Sequence, residues 1–438
     1  MTVTVVGLGK IGLPLAVQFA RKGETVLGAD INQETVDLIN KGMEPFPEEA
    51  NLQEYLAEAV KDGKLIASTS TTKCVEKSDV VVVVVPLFVN VNAEPDFRSM
   101  DSATEEIAKG LQKGTLVAYE TTLPVGTTRN RFTKTLEKIS GLTVGTDFYV
   151  VFSPERVLTG RVFTDLRKYP KIVGGVSDKC SKVGEAFYTR VLDFDPRDDL
   201  DRKNGVWVLD SCESAEFVKL AETTYRDVNI GLANQFAKFA DKLNLNIYDV
   251  IDASNSQPYS HIHQPGIAVG GHCIPIYPQF YVWGDPEATI VKAARENNSQ
   301  MPNYVVSYVD SLLKSSKYKR VLVLGASYRD KVKELAFSGV FAIQKELTNL
   351  GYEVEVFDAL FTKEELISHG LTPKISETEA FDAVIIQNSS QEFKQLFVNP
   401  EDWRNLVAIF DGRNLFGGKS PIKGVPLFGI GIKDEISK

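Results

Sequence analysis

The sequence is poor in the features that most often announce a chemistry. Cysteine occurs only four times in 438 residues, at Cys74, Cys180, Cys212 and Cys273. No two stand at metal-ligand spacing, so neither a zinc site nor a disulfide scaffold is encoded, and free thiols suit a reducing cytosol. Histidine is equally scarce. His261 and His263 share one loop, His272 adjoins Cys273 and His369 is remote, which makes no zinc pattern and leaves no metal to expect. Positive charge is in deficit. A formal net charge of −9 offers no global attraction for nucleic acid or an anionic membrane surface. Any anionic ligand must therefore be held by local cations and helix N-termini. Long apolar runs are missing as well: Val80 to Val85 with its flanks is far too short to span a bilayer. Met1 leads straight into strand-like sequence, without a signal peptide. These absences predict a cytoplasmic protein with no nucleic-acid and no membrane partner.

What is present is an ordinary globular composition, 43 % hydrophobic and 24 % charged. The length suits about two to four domains. Thr2-Val-Thr-Val-Val-Gly7 reads as a buried strand. Gly7-Leu-Gly-Lys-Ile-Gly12 follows, then a helical pattern through Leu13, Ala16, Phe19 and Ala20, then the strand Thr25-Val-Leu-Gly-Ala-Asp30. Strand, Gly7, Gly9 and Gly12, helix, strand and acid in register make the dinucleotide fingerprint in its required context. The glycines allow a tight turn and close approach of a pyrophosphate, and the helix N-terminus supplies N–H groups and a positive dipole end. Asp30 can accept hydrogen bonds from ribose hydroxyls and repels a 2′-phosphate, which favours NAD over NADP. Lys10 and Ile11 lie inside the same loop.

The α/β alternation continues. Ser78 to Pro86, Leu116 to Glu120 and Phe148 to Phe152 read as strands, and the hydroxyl-rich turn Thr121-Thr-Leu-Pro-Val-Gly-Thr127 follows the second of them. Pro86, Thr122 and Glu155 thus fall at strand ends, where an α/β sheet places ligands. Position alone leaves Thr122 equally readable as a helix cap and Glu155 as a surface glutamate. From near Ser214 to about Lys242, Phe217, Leu220, Ala221, Thr224, Val228, Leu232, Phe236 and Phe239 recur at helical spacing. One side of that helix is apolar enough to meet another long helix, and Lys219 lies within it. A second helical stretch, from Glu287 to about Ser315, is expected to break near Met301-Pro302. The last third repeats the strand-turn-helix grammar, with strands at Arg320 to Gly325, Gly351 to Asp358, Ala380 to Ile386 and Leu406 to Asp411, and a helix over Ser338 to Leu350.

Between these parts lies Gly266-Ile-Ala-Val-Gly-Gly-His-Cys-Ile-Pro275, which sets one thiol in a glycine-rich loop. Taken alone it is as compatible with a tight turn as with a nucleophile's cradle.

Six ordered stretches resemble the UDP-glucose/GDP-mannose dehydrogenase family, NAD-dependent nucleotide-sugar 6-dehydrogenases. They are Val6 to Pro14, Glu120 to Thr127, Phe152-Ser-Pro-Glu-Arg156, Lys219-Leu-Ala-Glu222 with Tyr225-Arg-Asp-Val-Asn-Ile230, Gly270-Gly-His-Cys-Ile-Pro275, and Asp411-Gly-Arg-Asn414. The resemblance spans the chain and is closest to the branch acting on UDP-N-acetylhexosamines. It implies two Rossmann-like doubly wound α/β domains joined by a long central helical dimerisation region. The expected segments are 1–198 for NAD, 199–308 for the helices and thiol loop, and 309–438 for the UDP-sugar. It also implies a homodimer, and a role in polysaccharide biosynthesis. In this reading Cys273 is the nucleophile, Lys219 stabilises oxyanions, Glu155 serves as or orients the base, and Thr122 positions water and touches the cofactor. Arg156, Arg226, Asn229, Gly270, His272, Arg329 and Arg413 are the substrate-binding candidates. UDP-glucose or GDP-mannose as substrate, or a non-catalytic nucleotide-sugar-binding role, are the alternatives. The sequence departs from the family pattern at several positions. Thr223 stands where Asn is usual, Tyr277 where Asp is usual and Ala336 where Arg is usual; Lys10 replaces an aromatic, Leu87 a threonine and Arg329 a lysine.

Overall fold

The computed structural model describes residues 1–47, 49–90, 92–314 and 319–433. The chain forms two compact units: Met1–Glu222 with Gln279–Asp285, and Thr223–Pro278 with Pro286–Lys438.

In the first unit the β-branched, apolar stretches become β1 (Thr2–Val6), β2 (Thr25–Ala29), β3 (Leu65–Ser68), β4 (Val80–Val83), β5 (Phe88–Val89), β6 (Pro95–Asp96), β7 (Leu116–Tyr119), β8 (Tyr149–Phe152), β9 (Lys171–Gly175) and β10 (Val206–Leu209). Eight of them build one sheet in the order β10-β9-β8-β7-β4-β1-β2-β3, while β5 and β6 form a separate antiparallel pair. Neighbours are parallel, as in β1 with β2 and β4, except that β9 runs antiparallel to β8. Helices cover the sheet, so β4 and β7 are buried along their whole length and read as continuous apolar runs. The strand order reverses between β1 and β4, whose C-terminal ends make the switch point at which such sheets bind ligands.

In the second unit β11 (Arg320–Leu324), β12 (Glu353–Phe357), β13 (Ala383–Ile386), β14 (Ala408–Asp411) and β15 (Leu427–Gly429) form an all-parallel sheet in the order β12-β11-β13-β14-β15. The expected helical break falls at Gln300, between helices Thr289–Ser299 and Met301–Leu313, and Pro302 sits in the first turn of the latter, where its missing N–H costs nothing. Ser315, the expected end of that stretch, lies outside the described residues.

The long helix is one continuous element, Cys212–Leu243, of 32 residues. Gly231 interrupts its side chains for a packing reason: a Cβ there would lie 3.0 Å from that of Ala294 on the helix Thr289–Ser299. Among the described residues no helix is long and apolar enough to cross a membrane.

Candidate active site

The first glycine turn is shaped by contact. Gly7 has φ +91°, and a Cβ on Gly12 would fall 1.8 Å from the Gly7 carbonyl oxygen. Only hydrogen at Gly12 lets the helix Gly12–Arg21 start against the loop. Gly9 differs, because a Cβ there would meet nothing within 4 Å. That open space lies before a helix with no side-chain cap on its N-terminus. Leu13 N donates to Gly9 O at 3.1 Å and Pro14 has no N–H, so the positive dipole end is what the helix chiefly offers an anion there. Asp30 accepts from Leu8 N at 2.8 Å and Asn32 N at 2.9 Å, which fixes the carboxylate at the end of β2. Each oxygen keeps lone pairs for ribose hydroxyls. The turn, helix end and acid fit an NAD dinucleotide. Pro86 is exposed after β4, and Leu87 is buried.

The strand ends after β7 and β8 carry the most unusual polar group of this unit. Thr121 Oγ1 donates to Val85 O at 2.7 Å, and Thr122 beside it is buried. Glu216, fully buried on the long helix, accepts from Gly126 N, Thr128 N and Thr128 Oγ1 at 2.5, 2.8 and 2.6 Å. It ties the threonine turn to the helix that bears Lys219. Burial pushes its carboxyl up to about 7. Lys219 is itself buried and donates through Nζ to the Glu155 carbonyl at 2.7 Å. The Glu155 side chain accepts from Arg156 N at 2.7 Å and from Lys171 Nζ at 2.9 Å. Lys171 also reaches Glu120 Oε2 at 2.7 Å, and Tyr188 OH donates to Glu120 Oε1 at 2.6 Å. Burial raises the Glu155 carboxyl most, but the Lys171 charge and hydrogen bond, the Arg156 N–H and a hydrogen bond with Glu120 together outweigh it and hold Glu155 below the usual carboxylate range. Glu120 is deeper, and burial pushes it up to about 7 despite the same lysine. Burial opposes the Lys171 charge too, and its two carboxylates outweigh that cost and raise its pKa. Arg156 pairs with Glu222 and donates to Pro170 O at 3.3 Å.

In the second unit the thiol loop is gripped by backbone at both ends. Gly266 N donates to Asn234 Oδ1 at 2.9 Å, Asn234 Nδ2 to Asn298 Oδ1 at 2.8 Å, and Asn298 Nδ2 to Asp227 Oδ1 at 2.8 Å. Arg295 closes this buried chain with an ion pair to Asp227 at 2.7 Å. Arg413 donates to Ala268 O and Gln387 O, each at 2.9 Å, clamping the loop to the end of β13. Gly270 and Gly271 lie flat on Tyr328: a Cβ on Gly270 would sit 2.4 Å from that of Tyr328. Gly271 N donates to Ala336 O at 2.8 Å. The position that lacks the expected arginine thus contributes its carbonyl. His272 Nε2 pairs with Glu334 at 2.5 Å. Cys273 is half-buried and unpaired with any other cysteine. Its carbonyl accepts from Ile276 N and Tyr277 N at 3.2 and 2.9 Å, so the thiol precedes the helix Tyr277–Gly284 by one turn. Tyr277 is half-buried and Thr223 fully buried.

Asn229 bonds His261 O and His263 N at 2.7 and 2.9 Å and so holds the histidine loop, while Arg226 is exposed one turn away. The turn after β11 copies the first glycine turn. Asp358, after β12, accepts from Ala326 N and Ser327 N at 2.9 Å each, and Arg329 follows Tyr328 in that turn. Sequence reasoning did not find Glu120, Lys171, Glu216, Asn234 or Asn298. A charged residue inside or just after an apolar strand, as at Lys171 and Glu120, was the available signal; the asparagines gave none. Among the described residues no group of three or more His, Cys, Asp or Glu is placed to hold a metal ion.

Family models agree with this layout. Those of the UDP-glucose/GDP-mannose dehydrogenase family match residues 1–192 (NAD binding domain), 213–300 (central domain) and 322–418 (UDP binding domain). The chain is 33 % identical to the UDP-N-acetyl-D-mannosamine dehydrogenase of Pyrococcus horikoshii over 99 % of its own length and 100 % of the relative's. The solved structure of a UDP-D-ManNAc dehydrogenase from that organism superposes with a TM-score of 0.88 at 32 % identity, covering 99 % and 100 % of the two chains. The UDP-N-acetyl-mannosamine dehydrogenase of Staphylococcus aureus gives 0.83 at 33 %, covering 98 % of each chain. The NDP-N-acetyl-D-galactosaminuronic acid dehydrogenase of Ralstonia solanacearum is 30 % identical over 95 % of this chain and 97 % of its own. The chain belongs to the UDP-glucose/GDP-mannose dehydrogenase family, and is an NAD-dependent nucleotide-sugar dehydrogenase.

Proposed function

We propose that this enzyme oxidises the C6 hydroxyl of a UDP-N-acetylhexosamine, UDP-ManNAc or UDP-GlcNAc, to the uronate for polysaccharide biosynthesis. The observation that carries the reading is the fixed pair of Lys219 and Glu155: a buried ammonium 2.7 Å from the carbonyl of the residue whose carboxylate is held ionised by Lys171. NAD supplies the hydride acceptor for both oxidations. The first gives an aldehyde. The Cys273 sulfur then adds to its carbon, forming a thiohemiacetal, and the second oxidation leaves a thioester that water hydrolyses. The thiol divides one difficult oxidation into two manageable ones. Lys219 stabilises the charge that develops on oxygen, Glu155 takes the proton from water, and Thr122 positions that water.

Gly7, Gly9, Lys10, Ile11, Gly12, Asp30 and Pro86 form the NAD surface, while Arg156, Arg226, Asn229, Gly270, His272, Arg329 and Arg413 serve the nucleotide sugar. Segments 1–198, 199–308 and 309–438 divide these tasks. The amino-sugar class is supported by the relatives, each named for an N-acetylated sugar. A homodimer through the long helix is supported by Leu232, Phe236, Phe239 and Leu243, which recur every three or four residues and are 37 to 60 % exposed. Unpaired Cys74, Cys180, Cys212 and Cys273 support a cytoplasmic setting.

The test is purified enzyme with NAD and a panel of UDP- and GDP-sugars, counting NADH formed per sugar consumed. About two NADH per UDP-N-acetylhexosamine, falling to no net uronate in Cys273→Ser, is expected. A ratio near one, or unchanged NADH yield in Cys273→Ser, overturns the thiol mechanism.

A further inference from the structure

Glu120, Lys171 and Tyr188 have no part in the reaction as described, yet they are buried and bonded to one another and to Glu155. Two carboxylates share a single ammonium. Lys171 contacts Glu120 at 2.7 Å and Glu155 at 2.9 Å, and Glu155 N donates to Glu120 O at 3.2 Å. A lone lysine pairing with a catalytic carboxylate would make that carboxylate a poor base, because the cation favours the ionised form. A second carboxylate on the same lysine divides that attraction.

We propose that Glu120 is a positioning residue that sets the basicity of Glu155 through Lys171, so that hydrolysis of the covalent intermediate is switched by the charge on Glu120. The proposal rests on Glu155 being the hydrolytic base. With Glu120 ionised, Lys171 divides its field between two anions, and Glu155 is both charged and basic. With Glu120 protonated, the whole field falls on Glu155, which stays charged but accepts a proton less readily. The hydrolytic step is otherwise unaltered. Water loses a proton to Glu155 as its oxygen bonds the thioester carbon, and the C–S bond then breaks with its electron pair on sulfur.

The groups facing this cluster are few. Tyr188, from the helix Asp178–Val191, donates to Glu120. Lys219, from the long helix, touches the Glu155 carbonyl, and Arg156 is neutralised by Glu222. Tyr188 is held neutral because burial raises its hydroxyl far above the ordinary range. Among the groups bonded to Lys171, Glu120 is therefore the one that titrates near neutrality, at about 7; Glu216, also near 7, bonds the threonine turn instead. The two carboxylates titrate as a coupled pair, and the upper step belongs mainly to Glu120.

The test measures uronate release against pH from 5 to 9 in the full-length enzyme with NAD and UDP-N-acetylhexosamine, by rapid quench under single turnover. Wild-type hydrolysis should fall as pH drops through about 7. Glu120→Gln fixes the neutral state: hydrolysis should be slower by roughly tenfold at high pH and should lose the limb near 7, staying flat down to pH 5 because Glu155 is held below the usual carboxylate range. The first hydride transfer should be unchanged. Tyr188→Phe removes a hydrogen bond that favours the ionised Glu120 and moves the limb upward instead, and it keeps the test decisive should Glu120→Gln fold poorly. Melting temperature and NAD affinity serve as folding controls. Wild-type rate and limb in both variants overturn the proposal. Glu155→Gln separates the two readings: if it hydrolyses normally, Glu155 is not the base, whereas if it is dead while Glu120→Gln behaves as wild type, only the role of Glu120 fails.

Discussion

Gly12→Ala is the sharpest structural prediction. The added methyl would stand 1.8 Å from the Gly7 carbonyl oxygen, far inside the 3.0 Å below which Cβ contacts are not found. That oxygen cannot yield. Gly7 N is bonded to Ala29 O at 2.8 Å, and Gly7 is wedged against the Val84 backbone at φ +91°. The helix Gly12–Arg21 must lift instead, and it carries Leu13, Leu15, Ala16 and Phe19, all buried in the core. Overpacking a rigid site costs about 1–3 kcal/mol, and a backbone obstacle argues for the upper end. For a unit of this size that is a fall in melting temperature of roughly 6–12 °C. Gly9→Ala is the paired control, because its methyl enters open space. It should melt within about 2 °C of wild type yet weaken NAD, since the methyl occupies the approach to the pyrophosphate. Differential scanning calorimetry with and without NAD, together with titration calorimetry, reads both effects. A Gly12→Ala protein melting within about 2 °C of wild type, or a Gly9→Ala protein binding NAD normally, would refute the packing argument.

Three further outcomes are expected. Asp30→Ala should weaken NAD and relax discrimination against NADP in steady-state kinetics, since the carboxylate both grips Leu8 N and repels a 2′-phosphate; a preserved preference would mean another group reads the ribose. Asn298→Ala leaves Asn234 and Asp227 without their buried partner and should cost about 1–3 kcal/mol in denaturant unfolding. It should also lower kcat more than it raises the KM for NAD, because the chain it breaks holds Gly266 at the root of the thiol loop. The hydrogen bonds from Arg129 hold the Glu213 carboxyl down to about 2, so this pair stabilises the fold above the ordinary carboxylate range and is lost as pH falls from about 4.5 through 2. Arg129 is partly exposed, so Arg129→Gln should cost about 1 kcal/mol at pH 7 and progressively less toward pH 2 in urea melts; a constant deficit across that range would point to packing instead of charge.

Much of the site was legible because its residues obey local rules. Gly7, Gly9, Gly12 and Asp30 sit at spacings set by one strand, one turn and one helix, and the same grammar announced β11 through β14. The long helix Cys212–Leu243 declared itself by apolar spacing. Less legible were β3, β9, β10 and β15, short strands whose burial comes from neighbours distant in sequence, and the antiparallel turn of β9 against β8.

The sequence by itself determined the dinucleotide turn, the thiol loop and their family, because short-range sterics and backbone hydrogen bonding require those residue types in that order. Tertiary structure alone decided which charges meet. Lys171, Glu120, Glu155 and Lys219 are spread over a hundred positions, and only the pairing of β7 with β8 and β8 with β9, and the long helix passing over them, brings them within hydrogen-bonding distance. In water those groups would titrate separately. Removed from it, with one ammonium between two carboxylates, each one's charge depends on the others, and no spacing in the chain encodes that dependence.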